Sequence, residues 1–388
     1  MQYVSTINQN TIYDPFSCLF FFVNIKLYMS IRNLILFSFI AIFLSSCFFD
    51  VPPYKGEKSE HFDGEKFYNL DRSDGFNYWD LMWFFISRTD GYWADFYPQT
   101  IPCNPPATTK DGELKVTFIN HASTLIQFDG INILTDPVWS EYTTPVKPIG
   151  PQRRRAPGID FDKLPRIDVV VISHNHYDHM DFETLKRLQE KFNPIILYPL
   201  GNKPIFVDNE LPNSRDMDWW DTLNIKNRTV TFVPARHFAN RGITDRNGTL
   251  WGGYVFETSG GPVYFAGDTG FGVHYQILKE KYGAMRFSIL PIAPIEPRFF
   301  MSEIHQDARE AVMAHKELES QKSMGIHFGT FKQASDAMRA PIDSLIVGLK
   351  DLKVSPADFI LPGHGRIIDV KPLAKSSLKK NNNSVIPK

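Results

Sequence analysis

The stretch VVVISHNHYDHMD, residues 169–181, places His174, His176, Asp178 and His179 within six residues, directly after four apolar β-formers and a serine. The apolar run reads as a strand buried on both faces. In extended backbone, residues two apart point the same way, so His174 and His176 can grip one metal ion together. On a helix they would lie about 200° apart and could not. Asp178 and His179 come after the chain has begun to turn, where they can face a second ion. Imidazole and carboxylate are the ligands expected for zinc, with iron or manganese also compatible. Packing gains nothing from three histidines here, and burying them costs desolvation.

One hexapeptide cannot complete two coordination spheres, so further ligands must come from distant strand ends. His237 ends TVTFVPARH, Asp268 follows VYFAG and His327 follows KSMGI. Each closes an apolar run, which would place all three along one edge of the sheets. Strands are expected at 114–120, 124–128, 131–136, 167–173, 194–198, 228–235, 254–258, 262–268 and 287–292, from short β-rich runs bounded by turn residues. Helices are expected at 182–192 and around 273–282, 306–317 and 341–351. Many short strands with a few interspersed helices predict an α/β (α+β) domain of two packed sheets flanked by helices.

The motif His174-Asn175-His176-Tyr177-Asp178-His179 resembles the HxHxDH signature of the metallo-β-lactamase superfamily. Three stretches narrow the resemblance: FINHASTLIQFDGINILTDPVWS (118–140), PARHFANRG (234–242) and IEPRFFMSEIHQDAREAV…KSMGIHFGTF (295–331). Together they are similar to the branch that hydrolyses N-acyl-phosphatidylethanolamine as a phospholipase D, over residues 60–370. The resemblance implies an αββα sandwich and two Zn2+. It implies His174, His176 and His237 on the first ion, Asp178, His179 and His327 on the second, and Asp268 bridging both. Two-metal chemistry would then activate a bridging water to attack an electrophilic centre. Two divalent ions less Asp178, Asp268 and a hydroxide leave about +1, which favours an anionic phosphodiester over a neutral amide.

Asp268, Asp178 and His305 are the expected catalytic residues, with His305 matching a histidine that the phospholipase branch places near the substrate phosphate. The alternative for His305 is an exposed position at a helix start. His364 is expected either to orient ligands or to occupy a tight turn, and His121 to brace the sheet edge. Arg153 and Arg154 could meet lipid phosphates or lie in a solvated loop. The rival functions are a metal-dependent lactonase or esterase on a small substrate, and a non-enzymatic lipid-binding envelope lipoprotein.

With 388 residues, 43% hydrophobic content and a net charge of −1, the chain carries no electrostatic signature of nucleic-acid binding. Its three cysteines exclude a disulfide framework. Residues 1–46 read as a signal segment, with Met29 a candidate start: Arg32 precedes an apolar run at 34–44 of signal-core length. Leu44-Ser45-Ser46-Cys47 resembles a bacterial lipoprotein signal, making Cys47 the lipidated residue and the cell envelope the location. Phe48, where an aspartate would signal inner-membrane retention, points to the outer membrane facing the periplasm. Residues 47–65 are expected to form a tether, 66–375 the hydrolase domain and 376–388 a disordered tail.

The aromatic segment 76–97 is expected to hold a helix whose Trp79, Trp83 and Ile86 share one face. That face either covers the core or forms an acyl-chain groove or a surface that dips into a membrane interface, and it could also serve a homodimer contact. The expected partners are therefore a phospholipid substrate and the membrane.

Overall fold

The computed structural model describes residues 50–73, 78–87, 89–98 and 103–374. The signal segment, Cys47 and the tail 376–388 lie outside these residues.

In chain order the described elements are helix α1 (Tyr78–Ser87), strands β1 (Leu114–Asn120), β2 (Ser123–Phe128), β3 (Ile131–Thr135) and β4 (Val169–Val171), and helix α2 (Phe182–Phe192). β5 (Ile195–Pro199), α3 (Lys203–Asp208), β6 (Ser214–Met217), β7 (Thr222–Ile225), β8 (Arg228–Val233), β9 (Gly253–Thr258) and β10 (Gly261–Phe265) follow. The chain continues through α4 (His274–Tyr282), β11 (Phe287–Pro291), α5 (Arg298–Met301), α6 (Ala308–Glu317), β12 (Ser323–Ile326), α7 (Ala340–Asp351), β13 (Phe359–Ile360) and β14 (Ile367–Asp369). The strands make two mixed sheets, ordered β14-β1-β2-β3-β4-β5-β6 and β13-β12-β11-β10-β9-β8-β7. This is the sandwich of two sheets flanked by helices that the sequence predicts.

Strand β4 shows why the apolar run has no polar face. Val169 and Val171 belong to the core between the sheets, with Phe118, Phe128, Phe232 and Phe256. Val170 and Ile172 point the other way, into a second core with Leu185 and Leu188 of α2. Period-2 alternation with both faces covered gives a continuously hydrophobic strand. The β2–β3 hairpin turns on Asp129 and Gly130, with φ of 47° and 77°. Positive φ at both loop positions is what a two-residue type I′ turn requires, and Asp-Gly supplies it.

Strands β1, β3 and β4 run in one direction within the first sheet, as do β8, β10, β11 and β12 in the second. The chain leaves β4 toward His174, β8 toward His237, β10 toward Asp268 and β12 toward His327. Four distant segments thereby arrive at strand C-termini, where α/β sheets place their ligands.

Two expectations change. Residues 50–65 are docked, not a free tether: Val51 and Phe62 are buried, and Phe62 packs with Phe67 in the core. The apolar side chains in a Pro- and Gly-containing segment outweigh its loop-like composition. Trp79, Trp83 and Ile86 do share a side of α1, but they are 73%, 58% and 70% exposed, so this face does not cover the core. α1 lies against α5. Strands β6 and β7 were not expected from the sequence; SRDM and TLNI are short and only half-buried, and they sit at sheet edges. No helix among the described residues is long and apolar enough to cross a membrane.

Candidate metal centre

The six residues after β4 are held by hydrogen bonds that fix which nitrogen of each ring faces inward. Asp136, just past β3, accepts from the Ser173 N–H at 2.7 Å and from the Ser173 hydroxyl at 2.6 Å. With its proton given to Asp136, Ser173 Oγ accepts from His174 Nδ1 at 2.9 Å. Asp136 also accepts from His179 Nδ1 at 2.7 Å. His237 donates from Nδ1 to the Ile304 carbonyl at 2.7 Å. Asn240 uses its Nδ2 on the Gly242 carbonyl, so its Oδ1 accepts from His176 Nε2 at 3.0 Å. The remaining ring nitrogens, Nε2 of His174, His179 and His237 and Nδ1 of His176, face one another. A hydrogen bond on the far nitrogen is how proteins orient metal-binding imidazoles.

These atoms surround Asp268. Its Oδ2 lies 3.0 Å from His327 Nε2, 3.2 Å from His179 Nε2, 3.9 Å from His237 Nε2 and 4.0 Å from His174 Nε2. His174 Nε2 and His176 Nδ1 are 2.7 Å apart, and Asp178 Oδ2 is 3.2 Å from His179 Nε2 and 3.5 Å from His327 Nε2. All seven residues expected as ligands are therefore brought together. They fall into groups with ligand atoms within 4.8 Å of one another: His174, His176 and His237; His174, His179 and Asp268; and Asp178, His179 and His327 joined by His121.

The residues fit a metal on chemical grounds. Nε2 of His179, His237 and His327 and Oδ1 of Asp268 are buried without a hydrogen-bond partner. Orphaned buried polar atoms are costly, and so many aimed at one point are accounted for by cations.

The electrostatics agree. Burial dominates at His174, His176 and His237 and lowers all three, His176 to about 4, so these rings are neutral and ligand-ready. Burial also opposes charge on His179 and His327, but Asp268 and Asp178 outweigh it, raising His179 well above its ordinary value and His327 to about 9. Burial works against ionisation of Asp178 and Asp268 too, yet the adjacent histidines hold both well below the carboxylate range. Without metal, two protons thus stand where cations would.

Close approach of β10 to β4 depends on Gly267, whose φ is 62°. A Cβ there would sit 2.4 Å from Ser173 Cβ. Glycine lets Asp268 reach the histidines. His121, Asp136 and His327 also have positive φ, at 42°, 33° and 64°, a conformation uncommon outside glycine that concentrates at functional sites.

The outlying candidates divide. His305 is buried, with Nδ1 3.9 Å from Asp268 Oδ2, so it belongs to the cluster and is not an exposed helix start. Arg298 donates to its carbonyl, and the Asp307–Glu310 capping box of α6 fixes the chain just beyond. His121, expected to brace the sheet edge, donates from Nε2 to Asp178 Oδ2 at 2.8 Å and so touches the cluster directly. His364 is one step further out, 3.3 Å from the Thr330 hydroxyl that accepts from the His121 N–H. Arg153 is buried against the Phe331 ring and donates to the Val138 and Ser140 carbonyls. Arg154 donates to the Asp95 carbonyl. Both arginines brace loops and neither lines the cleft, because the backbone carbonyls around them need donors.

Residues not singled out from the sequence complete the site. Asp136, Ser173 and Asn240 orient the clustered rings through hydrogen bonds, and only the Thr-Asp-Pro turn after β3 signals any of them. A cleft of about 480 Å³ opens from His176, Asp178, Asp268, His305 and His327. Phe238, Ile243, Phe300, Met301 and Ile304 give it an apolar wall, while Arg241 and Arg246 contribute cations. Arg241 stacks on Tyr177 and Arg246 on Phe238.

Comparison with known proteins places this geometry. Residues 131–328 match the model of the β-lactamase superfamily domain. An uncharacterised protein of Mycobacterium tuberculosis is 31% identical over 80% of this chain and 83% of its own length. The N-acyl-phosphatidylethanolamine-hydrolysing phospholipase D 1 of Caenorhabditis elegans is 34% identical over 62% of this chain and 72% of its own. Among solved structures, an isothiocyanate hydrolase from Delia radicum gut bacteria shares the fold, with a TM-score of 0.53 and 18% identity over 66% of this chain and 98% of its own. The matched domain runs from the hairpin strand β3 to just past His327 and takes in the seven clustered ligand candidates; the chain belongs to the β-lactamase superfamily, as a metal-dependent hydrolase.

Proposed function

We propose that the chain is a zinc-dependent phosphodiesterase of phospholipase D type, acting on N-acyl-phosphatidylethanolamine or a related phospholipid. The observation that carries this reading is the cleft: an Asp268-centred cluster opens between an apolar wall and two arginines, a chemistry suited to a substrate with a fatty chain and an anionic head. The Caenorhabditis elegans relative's activity supports the same choice.

In this reading His174, His176 and His237 would hold one ion and Asp178, His179 and His327 the other, with Asp268 a further ligand of the pair. When bound, the two ions supply an activated water and neutralise charge on the phosphodiester. The chain's own residues do the rest. Phe238, Phe300 and Met301 bind acyl carbons and exclude water beside the cluster. Arg241 and Arg246 attract the anionic head. His305, held neutral by burial at about 3, donates a hydrogen bond from its ring to a phosphate oxygen. Asp136, Ser173 and Asn240 keep the ligand rings aimed.

The exposed Trp79, Trp83 and Ile86 on α1, together with the half-exposed Phe299 on the adjoining α5, support contact with a membrane interface at the cleft. A lipid on Cys47 would tether the protein in the bacterial envelope, with the outer membrane the preferred site.

The test is to offer the zinc-loaded full chain N-acyl-phosphatidylethanolamine and a panel of lactones. Phosphatidic acid release that disappears in Asp268→Asn is the expected result. Lactone turnover without lipid cleavage would overturn the reading in favour of a lactonase. About one ion per chain, where two are expected, would overturn the dinuclear arrangement.

A further inference from the structure

His237 leaves β8 in a stretch where no strand neighbour pairs with its backbone. Peptide groups buried there still need partners. One side chain from far away in sequence supplies them. Asn69 is buried, and its Oδ1 accepts from the His237 N–H at 3.0 Å while its Nδ2 donates to the His237 carbonyl at 3.0 Å. The same Oδ1 accepts from Trp251 Nε1 at 3.0 Å. A single amide thus holds the backbone on both sides of His237, and the Ile304 carbonyl holds its ring.

The segment that carries Asn69 is fastened along its length. Phe62 and Phe67 enter the core, and the Phe67 N–H donates to the Asn247 carbonyl at 2.9 Å. Asp71 pairs with Arg236 at 3.1 Å. At its start, Val51 N–H donates to Asp245 Oδ2 at 2.9 Å, and Asp50 accepts from the Thr244 N–H at 3.1 Å. Asp245 in turn accepts from the N–H groups of Arg241 and Gly242, both of which line the cleft. Residues 50–73 therefore form a strap that touches the cluster at His237 and the cleft rim at 241–245.

We propose that Asn69 is a positioning residue of the metal centre, and that the strap is through it a working part of the hydrolase. The amide fixes the peptide planes flanking His237, so that the ring meets the ion with no reorganisation. Loosening it lets the ring swing, and a small misplacement is enough to weaken a ligand. This inference rests on His237 being a ligand, as in the reading above, but not on the identity of the substrate.

The experiment is competitive metal titration of the full chain, with cobalt as a spectroscopic probe and a chelator as competitor. In Asn69→Ala, the affinity for one of two ions falls by about 10–100-fold, with a changed cobalt spectrum, while the other ion is retained. Trp251→Phe removes a neighbouring hydrogen bond but leaves the clamp on His237, so it lowers thermal stability without changing metal affinity. Should Asn69→Ala fail to fold, Asn69→Asp carries the test: it keeps both acceptor contacts, loses the donor to the His237 carbonyl, and weakens the same ion. Normal metal affinity in a folded Asn69 variant of lowered stability would overturn the proposal, leaving Asn69 a structural residue. Failure of the unsubstituted chain to bind two ions would instead strike the dinuclear reading, and is read on a different protein.

Discussion

Asp136 accepts a hydrogen bond from Nδ1 of His179 at 2.7 Å, and this fixes the opposite nitrogen of the ring toward Asp268. Asp136 is fully buried and also takes both donors of Ser173. Asp136→Asn would present an N–H or a weaker acceptor to His179 and Ser173. Metal affinity is expected to fall by about 10–100-fold with the fold retained. Chelator competition measures it, and an unchanged affinity would remove Asp136 from the site's support.

Gly267→Ala places a methyl group 2.4 Å from Ser173 Cβ and forces a side chain onto a φ of 62°. The contact is with a short side chain beside backbone, so β10 and β4 must part. Displacing Asp268 by even an ångström is expected to lower turnover by about 100-fold. Stability should fall by about 1–3 kcal/mol, the usual range for overpacking. A turnover assay and thermal denaturation together check this, and wild-type behaviour in both would show that the approach is not tight.

Metal binding should expel protons. His327 is raised to about 9 and His179 well above its ordinary value, so both carry protons at pH 7 in the metal-free chain. Ions must replace these protons. Affinity therefore weakens as pH falls below about 9 and strengthens as pH rises toward it. Calorimetry at pH 7 in two buffers of different ionisation enthalpy should show net proton release on metal binding. Binding without proton release would contradict the assignment of His179 and His327 as ligands.

The exposed face of α1 gives a prediction that separates membrane contact from catalysis. A Trp79→Ser, Trp83→Ser double variant should lose binding to phospholipid vesicles and turnover of vesicle-borne lipid. Hydrolysis of a short-chain, water-soluble phosphodiester should stay unchanged. Equal loss on both substrates would mean that the helix supports the cleft and does not meet lipid.

The clustering of these residues was legible because it follows local rules: alternation aims His174 and His176 together, and apolar runs end at His237, Asp268 and His327. Most strands of both sheets were legible as short β-rich runs between turn residues, β4 as a continuous apolar run covered on both faces, whereas β6, β7, β12, β13 and β14 were not expected. The supports were not legible. Asp136, Asn240 and Asn69 act through hydrogen bonds to residues 43, 64 and 168 positions away, and no periodicity marks such partners. Residues 50–65 looked like a tether because proline, glycine and charge dominate their composition, while two buried side chains, Val51 and Phe62, decide their placement. For Arg153 and Arg154 the sequence left open contact with lipid phosphates or a solvated loop; in the structure they satisfy backbone carbonyls. The edge strands β6 and β7 owe their form to the sheet they join, as tertiary context overrides weak propensity.

The central claim is that water attacks the phosphorus of a phospholipid at the Asp268-centred cluster. It is tested most directly by incubating the zinc-loaded full chain with N-acyl-phosphatidylethanolamine in ¹⁸O-labelled water and weighing the products. The account predicts phosphatidic acid carrying one labelled oxygen in its phosphate, and an unlabelled N-acylethanolamine, with neither formed by Asp268→Asn. Intact lipid, or label appearing in a released fatty acid, would contradict it.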